Sequence, residues 1–208
     1  MPDGVVLGVA GKCCAGKDTV SNFFIERGFR DVNVDRIGHL ALEFRRDEVV
    51  SSFGSDILDE GGSIDRGRLG AIVFRSVDRR RDLEAILHPW MAEQVRLAVE
   101  EYRASGKKRS EEPGLVINAA LLFPMGLHRF CDHVIWTTAP ALSRFRRARR
   151  RDRLTFPQVV NRFFSQRTLQ PQEFSSHADM ITVKNSGSRS ELHAQLQEIL
   201  TGILAAGD

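Results

Sequence analysis

Nothing in the chain resembles a membrane span: no apolar run is long enough to cross a bilayer. Its start carries no leader pattern either, because the first apolar segment, Val5-Val6-Leu7-Gly8-Val9-Ala10, reads as a buried strand. Cysteine is scarce. Of the three, Cys13 and Cys14 are adjacent and Cys131 is remote, which excludes a disulfide scaffold and makes a reducing cytoplasm the expected setting. Internal repeats and low-complexity linkers are also missing, so the expectation is one domain with one core. Seven arginines fall between positions 144 and 153, yet no aromatic other than Phe145 interleaves with them. That run could clamp a polyphosphate or form a solvated helix face, and no nucleic-acid partner is expected.

What is present is an ordinary globular composition: 208 residues, 42% hydrophobic and 27% charged, with a net charge of +3. One segment stands out. Gly11-Lys12-Cys13-Cys14-Ala15-Gly16-Lys17 has the spacing of a phosphate-binding loop, a glycine, four residues, then Gly-Lys. The strand-like run precedes it, and Val20, Phe23 and Phe24 follow at helical spacing. Glycine permits the tight turn that aims successive N–H groups at an anion, and the helix start adds unpaired N–H groups and a positive dipole end. Lys17 supplies charge for the outer phosphates. The motif calls for Ser or Thr next, as a magnesium ligand, but Asp18 stands there and Thr19 follows. Both are candidate metal ligands. Cys13 and Cys14 read as small residues lining the turn.

The remaining pattern alternates strands with helices, which predicts a parallel α/β sheet. The alternation in Asp31-Val32-Asn33-Val34-Asp35 predicts a second strand ending in a carboxylate, followed by a helix with Ile37, Leu40, Ala41 and Phe44. Turns are expected at Phe53-Gly54 and Gly61-Gly62, and a short helix after Asp65. Helical periodicity runs from Arg80 to Arg103, with His88-Pro89 expected to interrupt or kink it. Further strands are predicted at Leu115–Ile117, His133–Trp136 and Met180–Val183. The arginine-rich helix follows Pro140, a second helix holds Asn161, Arg162 and Gln166, and Leu192, Leu196, Ile199 and Leu200 mark a last helix.

Taken in order, these segments resemble the dephospho-coenzyme A kinase family. The family's N-terminal phosphate loop is followed by a strand ending in Asp-Ala-Asp, here Asn33-Val34-Asp35. Its Phe-Gly turn and Asp-Arg pair correspond to Phe53-Gly54 and Asp65-Arg66, and its His-Pro pair to His88-Pro89. The strand running into Pro-Leu-Leu-Phe-Glu reads here Ala120-Leu121-Leu122-Phe123-Pro124. Its lid pairs appear as Arg151-Asp152 and Arg162 to Gln166, and its closing signature as Ala178-Asp179 and Asn185-Ser186-Gly187.

The resemblance implies a P-loop kinase: a five-stranded parallel sheet (core about 1–50, 114–139 and 178–208), a helical acceptor-binding region (about 51–113) and a helical lid (about 140–175). It implies transfer of phosphate from ATP, with Mg2+, to the ribose 3′-hydroxyl of dephospho-CoA. Asp35 takes the place of the general base, although capping of the next helix is the plainer role for such a residue. Catalysis is expected to use Asp35, Lys17, Arg147 and Arg151, the two arginines lying one turn apart. Nucleotide contacts are expected from Gly11, Cys14, Ala15, Gly16, Lys17, Asp18, Thr19, Arg162 and Asn185, and acceptor contacts from Asp35, His88 and Pro89. The other arginines are expected to face solvent. A cytoplasmic monomer without membrane partners is the corresponding expectation. The chain departs from the family at Lys12, Cys14, Asn33, Asn118 and Pro124. Relocation of a metal ligand to Asp18 and decay to a weakly active nucleotide-binding protein both remain open, as do a related kinase with another acceptor and an RNA-binding module.

Overall fold

The computed structural model describes residues 4–106, 108, 110–152 and 179–205, with the backbone alone for 150–152. They divide into two compact units, one made of the described residues up to 32 and from 98 onward and the other of residues 33–97.

The first unit is built on a five-stranded parallel sheet in the order β2-β3-β1-β4-β5. β1 (Val5–Gly11) lies at its centre and is buried at every residue. It pairs in parallel with β3 (Gly114–Asn118) on one side and β4 (His133–Thr138) on the other. β5 (Asp179–Lys184) extends the sheet from β4. A central parallel strand covered on both faces needs a nearly continuous apolar run, which the Val5–Ala10 segment supplies. Its odd residues Val5, Leu7 and Val9 join Phe23 and Phe24 of α1 (Lys17–Ile25) and Leu192, Leu196 and Leu200 of α7 (Arg189–Ala205) in one core. At Gly8 the chain comes so close that a Cβ would lie 2.8 Å from the Cys131 sulfur. Glu112, only 9% exposed, binds Arg30 of β2 (Arg30–Asn33) through two contacts of 2.7 and 3.1 Å. α6 (Ala141–Asp152) follows β4.

The second unit is helical: α2 (Val34–Phe44), α3 (Arg46–Phe53), α4 (Arg66–Arg75) and most of α5 (Val77–Ala104). Gly54, at φ 86°, ends α3, and the Asp65 side chain caps α4 by accepting from Gly67 and Arg68. The Arg79 guanidinium lies 4.1 Å from the Phe53 ring centre, and Phe44 stacks on Trp90 at 5.1 Å. Large apolar side chains stay exposed on this unit, among them Leu40, Phe44, Phe74 and Val77.

Two expected boundaries move. The second strand does not run to Asp35. It stops at Asn33, whose side chain accepts from the Arg36 N–H at 3.1 Å and caps α2. Asparagine competes well for that cap, so Val34 and Asp35 enter the helix despite the alternating pattern. His88-Pro89 does not interrupt α5 either, which continues through the proline over 28 residues. Proline forfeits one hydrogen bond but holds a helical φ. Burial of Leu87, Met91 and Val95 on either side keeps the helix whole. The expected helix around Asn161 to Gln166 lies outside the described residues.

Candidate active site

Parallel strands present their carboxyl ends on one edge, and β1 is where the strand order reverses, with β3 on one side and β4 on the other. The loop leaving β1 starts at Gly11, where a Cβ would lie 2.6 Å from the Thr137 carbonyl oxygen. Only glycine fits that approach. The backbone then turns left-handed twice, at Cys14 (φ 58°) and Gly16 (φ 100°), and the Ala15 N–H closes the turn on the Lys12 carbonyl at 3.0 Å. Gly16 is the N-cap of α1 and offers no side-chain acceptor to the helix. The first N–H groups of α1 are thereby left for an anion.

Distant parts of the unit hold this loop from behind. Asn185, 8% exposed and just past β5, donates its side-chain N–H to the Ala15 carbonyl at 2.8 Å. Arg147 of α6 donates to the same carbonyl and to the Asn185 backbone oxygen, both at 3.2 Å. One turn earlier, Arg144 donates to the Cys13 carbonyl at 3.0 Å. Arg144 is 9% exposed, so the expectation of a solvent-facing side chain fails at this position. Burial lowers its pKa, with the neighbouring Cys13 and Cys14 thiols acting the other way. Arg144 went unassigned because seven arginines in a short run look alike to a pattern reading. The only signal was its spacing of three from Arg147, which puts the two on one helix face.

At the mouth of the loop the Lys17 ammonium donates to the Asn118 side-chain oxygen at the end of β3 and to an Asp18 oxygen at 3.2 Å. The Asp18 side chain is 47% exposed and that of Lys17 only 13%. Thr19 lines a neighbouring cleft of about 240 Å³ together with Asn22, Glu26, Arg189 and His193. A cationic amine, the uncapped start of α1 and the side-chain oxygens of Asp18 and Asn118 thus meet where β1 and β3 end.

A family model described as dephospho-CoA kinase matches residues 5–191. The chain belongs to the dephospho-CoA kinase family. Among curated relatives, the dephospho-CoA kinase of Bacillus licheniformis is 33% identical over 94% of this chain and 95% of its own length. That of Dehalococcoides mccartyi is 34% identical over 78% of this chain and 81% of its own. Of solved structures, TT1252 from Thermus thermophilus superposes with a TM-score of 0.73 at 27% identity, covering 96% of this chain and 97% of that one. A shikimate kinase from Acinetobacter baumannii shares the fold at a TM-score of 0.54 and 13% identity, covering 99% and 96%.

In this member of the kinase family the remaining expected site residues fall as follows. Gly11, Cys14, Ala15, Gly16, Lys17, Asp18, Thr19, Arg147 and Asn185 gather at or behind the phosphate loop. Asp35 lies exposed in the first turn of α2. His88 is half-buried within α5, and burial lowers its pKa while Glu84 offsets part of the shift. Pro89 follows it, exposed. For Arg151 only the backbone, in α6, is described, and Arg162 lies outside the described residues.

Proposed function

We propose that the chain transfers the terminal phosphoryl group of ATP to the ribose 3′-hydroxyl of dephospho-CoA, giving CoA and ADP. The observation that carries this reading is the anion cradle itself: two left-handed turns at Cys14 and Gly16 opening onto an uncapped α1, with Lys17 at the mouth. It occurs in a chain whose family match runs through residues 5–191. Phosphoryl transfer asks a protein chiefly for positioning and charge neutralisation. Loop N–H groups and Lys17 receive the β- and γ-phosphates, and Lys17 moves onto them from its resting partners Asn118 and Asp18. The cleft beside Thr19 takes the nucleoside end. Asp35 accepts the proton of the 3′-hydroxyl as that oxygen bonds to phosphorus and ADP departs. Arg151 and Arg162 belong to the lid that meets the developing charge. Arg147 and Asn185 act one step back, as positioning residues that hold the Ala15 carbonyl and hence the N–H groups beside it. The helical acceptor region, with His88 and Pro89, holds the other substrate, and the exposed Leu40, Phe44 and Phe74 suit its pantetheine arm.

The donors present fit magnesium. Asp18, Thr19 and Asn118 offer only oxygen, as a hard cation requires, and no group of three or more His, Cys, Asp or Glu that could cage a metal occurs among the described residues. Mg2+ characteristically takes one or two protein carboxylates and completes its shell with phosphate and water. When bound it neutralises phosphate charge, and Asp18 with Thr19 would hold it. No described helix is long and apolar enough to cross a membrane. The proposed setting is the cytoplasm and the proposed state a monomer.

The test is turnover of purified protein with ATP, Mg2+ and a panel of acceptors: dephospho-CoA, adenosine, nucleoside monophosphates and shikimate. Dephospho-CoA is expected to be converted to CoA with the others poor. Faster turnover of any other acceptor would reassign the substrate within the same fold. Salt-dependent RNA binding without turnover of any acceptor would replace the kinase reading altogether.

A further inference from the structure

Cys13 and Cys14 sit inside the cradle, and neither the fold nor phosphoryl transfer calls for sulfur there. Both are thiols and both are partly exposed. Their sulfur atoms stand 3.6 Å apart, and the Arg144 guanidinium, tied to the Cys13 carbonyl, acts electrostatically on both. The third cysteine differs in every respect. Cys131 is 4% exposed, and burial pushes its pKa up to about 12. Sulfur chemistry in the folded chain is therefore confined to the adjacent pair.

The geometry selects what that pair can hold. Adjacent Cα atoms are about 3.8 Å apart, less than the roughly 4.4–6.8 Å that an unstrained disulfide spans. Direct S–S closure thus demands distortion of a loop whose carbonyls at Lys12, Cys13 and Ala15 are already engaged. A single bridging atom that bonds both sulfurs spans 3.6 Å without drawing them together. Once one bond forms, the second is intramolecular and gains from high effective concentration.

We propose that Cys13 and Cys14 form a bidentate dithiol site for trivalent arsenic, and that its occupancy and nucleotide binding exclude each other. The exclusion rests on the loop's proposed role as the ATP cradle. The dithiol chemistry does not. With phenylarsine oxide the two S–H bonds and the As=O bond break, and two As–S bonds form. Both protons leave with the oxygen as one water, and arsenic stays trivalent, so no oxidant is needed. The bridge fixes the peptide between Cys13 and Cys14, which includes one of the two left-handed turns, and adds bulk at the rim.

The experiment is intact mass measurement of the folded chain with phenylarsine oxide, alongside turnover expressed against each variant's own untreated rate. The expected result is one phenylarsenic adduct per chain and loss of most turnover. Saturating MgADP should slow its formation. Dimercaptopropanol should reverse both effects, whereas 2-mercaptoethanol at equal thiol concentration should not. Cys13→Ser and Cys14→Ser should each lose the stable adduct, and Cys131→Ser should keep it. No adduct on the wild-type chain, or an adduct abolished by Cys131→Ser alone, overturns the site. An adduct forming at the same rate with MgADP overturns the exclusion. The wild-type measurements decide both points even if a loop variant fails to fold, and an absent adduct leaves the kinase reading untouched.

Discussion

If Asp35 is the base, Asn33 and Asp35 divide two tasks that a single carboxylate could otherwise share. Because Asn33 caps α2, the exposed Asp35 is not needed to start the helix. Asp35→Asn should therefore leave thermal stability within about 0.5 kcal/mol of wild type, the usual scatter of a surface change. It should lower turnover by roughly 100- to 10,000-fold, the range of general-base catalysis, with ATP affinity little altered. Near-normal turnover in the folded variant would remove Asp35 from the chemistry. Within the cradle, Lys17 rests between Asp18 and Asn118. If Asp18 supplies the metal contact, Asp18→Ala should raise the Mg2+ concentration giving half-maximal rate. Adding Asn118→Asp should recover part of the loss, seen as coupling in a double-mutant cycle. An unchanged requirement in Asp18→Ala together with a large shift in Thr19→Ala would assign the metal to Thr19. Both loop glycines could be read directly from the sequence, since a close approach at Gly11 and a left-handed turn at Gly16 admit little else. The left-handed backbone at Cys14 could not, because side chains other than glycine rarely adopt it.

Among elements, α6 serves as a strap: Arg144 and Arg147 project from one face onto loop carbonyls, while Arg149 is exposed. Arg147→Ala should raise the KM for ATP more than it lowers kcat, as loss of a positioning contact does. Arg149→Ala should change neither. Equal small effects from the two would mean a diffuse electrostatic surface instead. The helix itself was legible from its composition, but which arginines turn inward depends on loop carbonyls 131 and 132 residues away. α5 makes the opposite point. Local rules stop a helix at His88, yet the burial of Leu87, Met91 and Val95 carries it on. Pro89 then costs one hydrogen bond. Pro89→Ala should stabilise the chain by about 1–3 kcal/mol, within the range of helix-interior proline effects. A fall in melting temperature would show that Pro89 is held by contacts its ring makes. The early end of β2 has the same origin in reverse: a two-residue alternation lost to a side-chain cap.

Across the whole molecule, the strand-and-helix alternation announced a parallel sheet, and the glycine loop announced a phosphate site after the first strand. Each is written in contiguous residues. The backing of the loop by Arg144, Arg147 and Asn185 is not, because it joins residues that only the finished sheet brings together. That separation has a consequence for how the chain is made. β1 leaves the ribosome first, but its neighbours β3 and β4 follow more than 100 residues later. The Asn185 side chain that braces Ala15 is separated from it by 170 residues. Loops this long make pairing slow, and the unpaired apolar strand is exposed while it waits. During translation at about 5–20 residues per second, the nascent chain therefore carries its most hydrophobic strand unpartnered for several seconds. Synthesis and assembly of the cradle are thus ordered in time: the loop cannot gain its brace from Asn185 until translation has passed that residue.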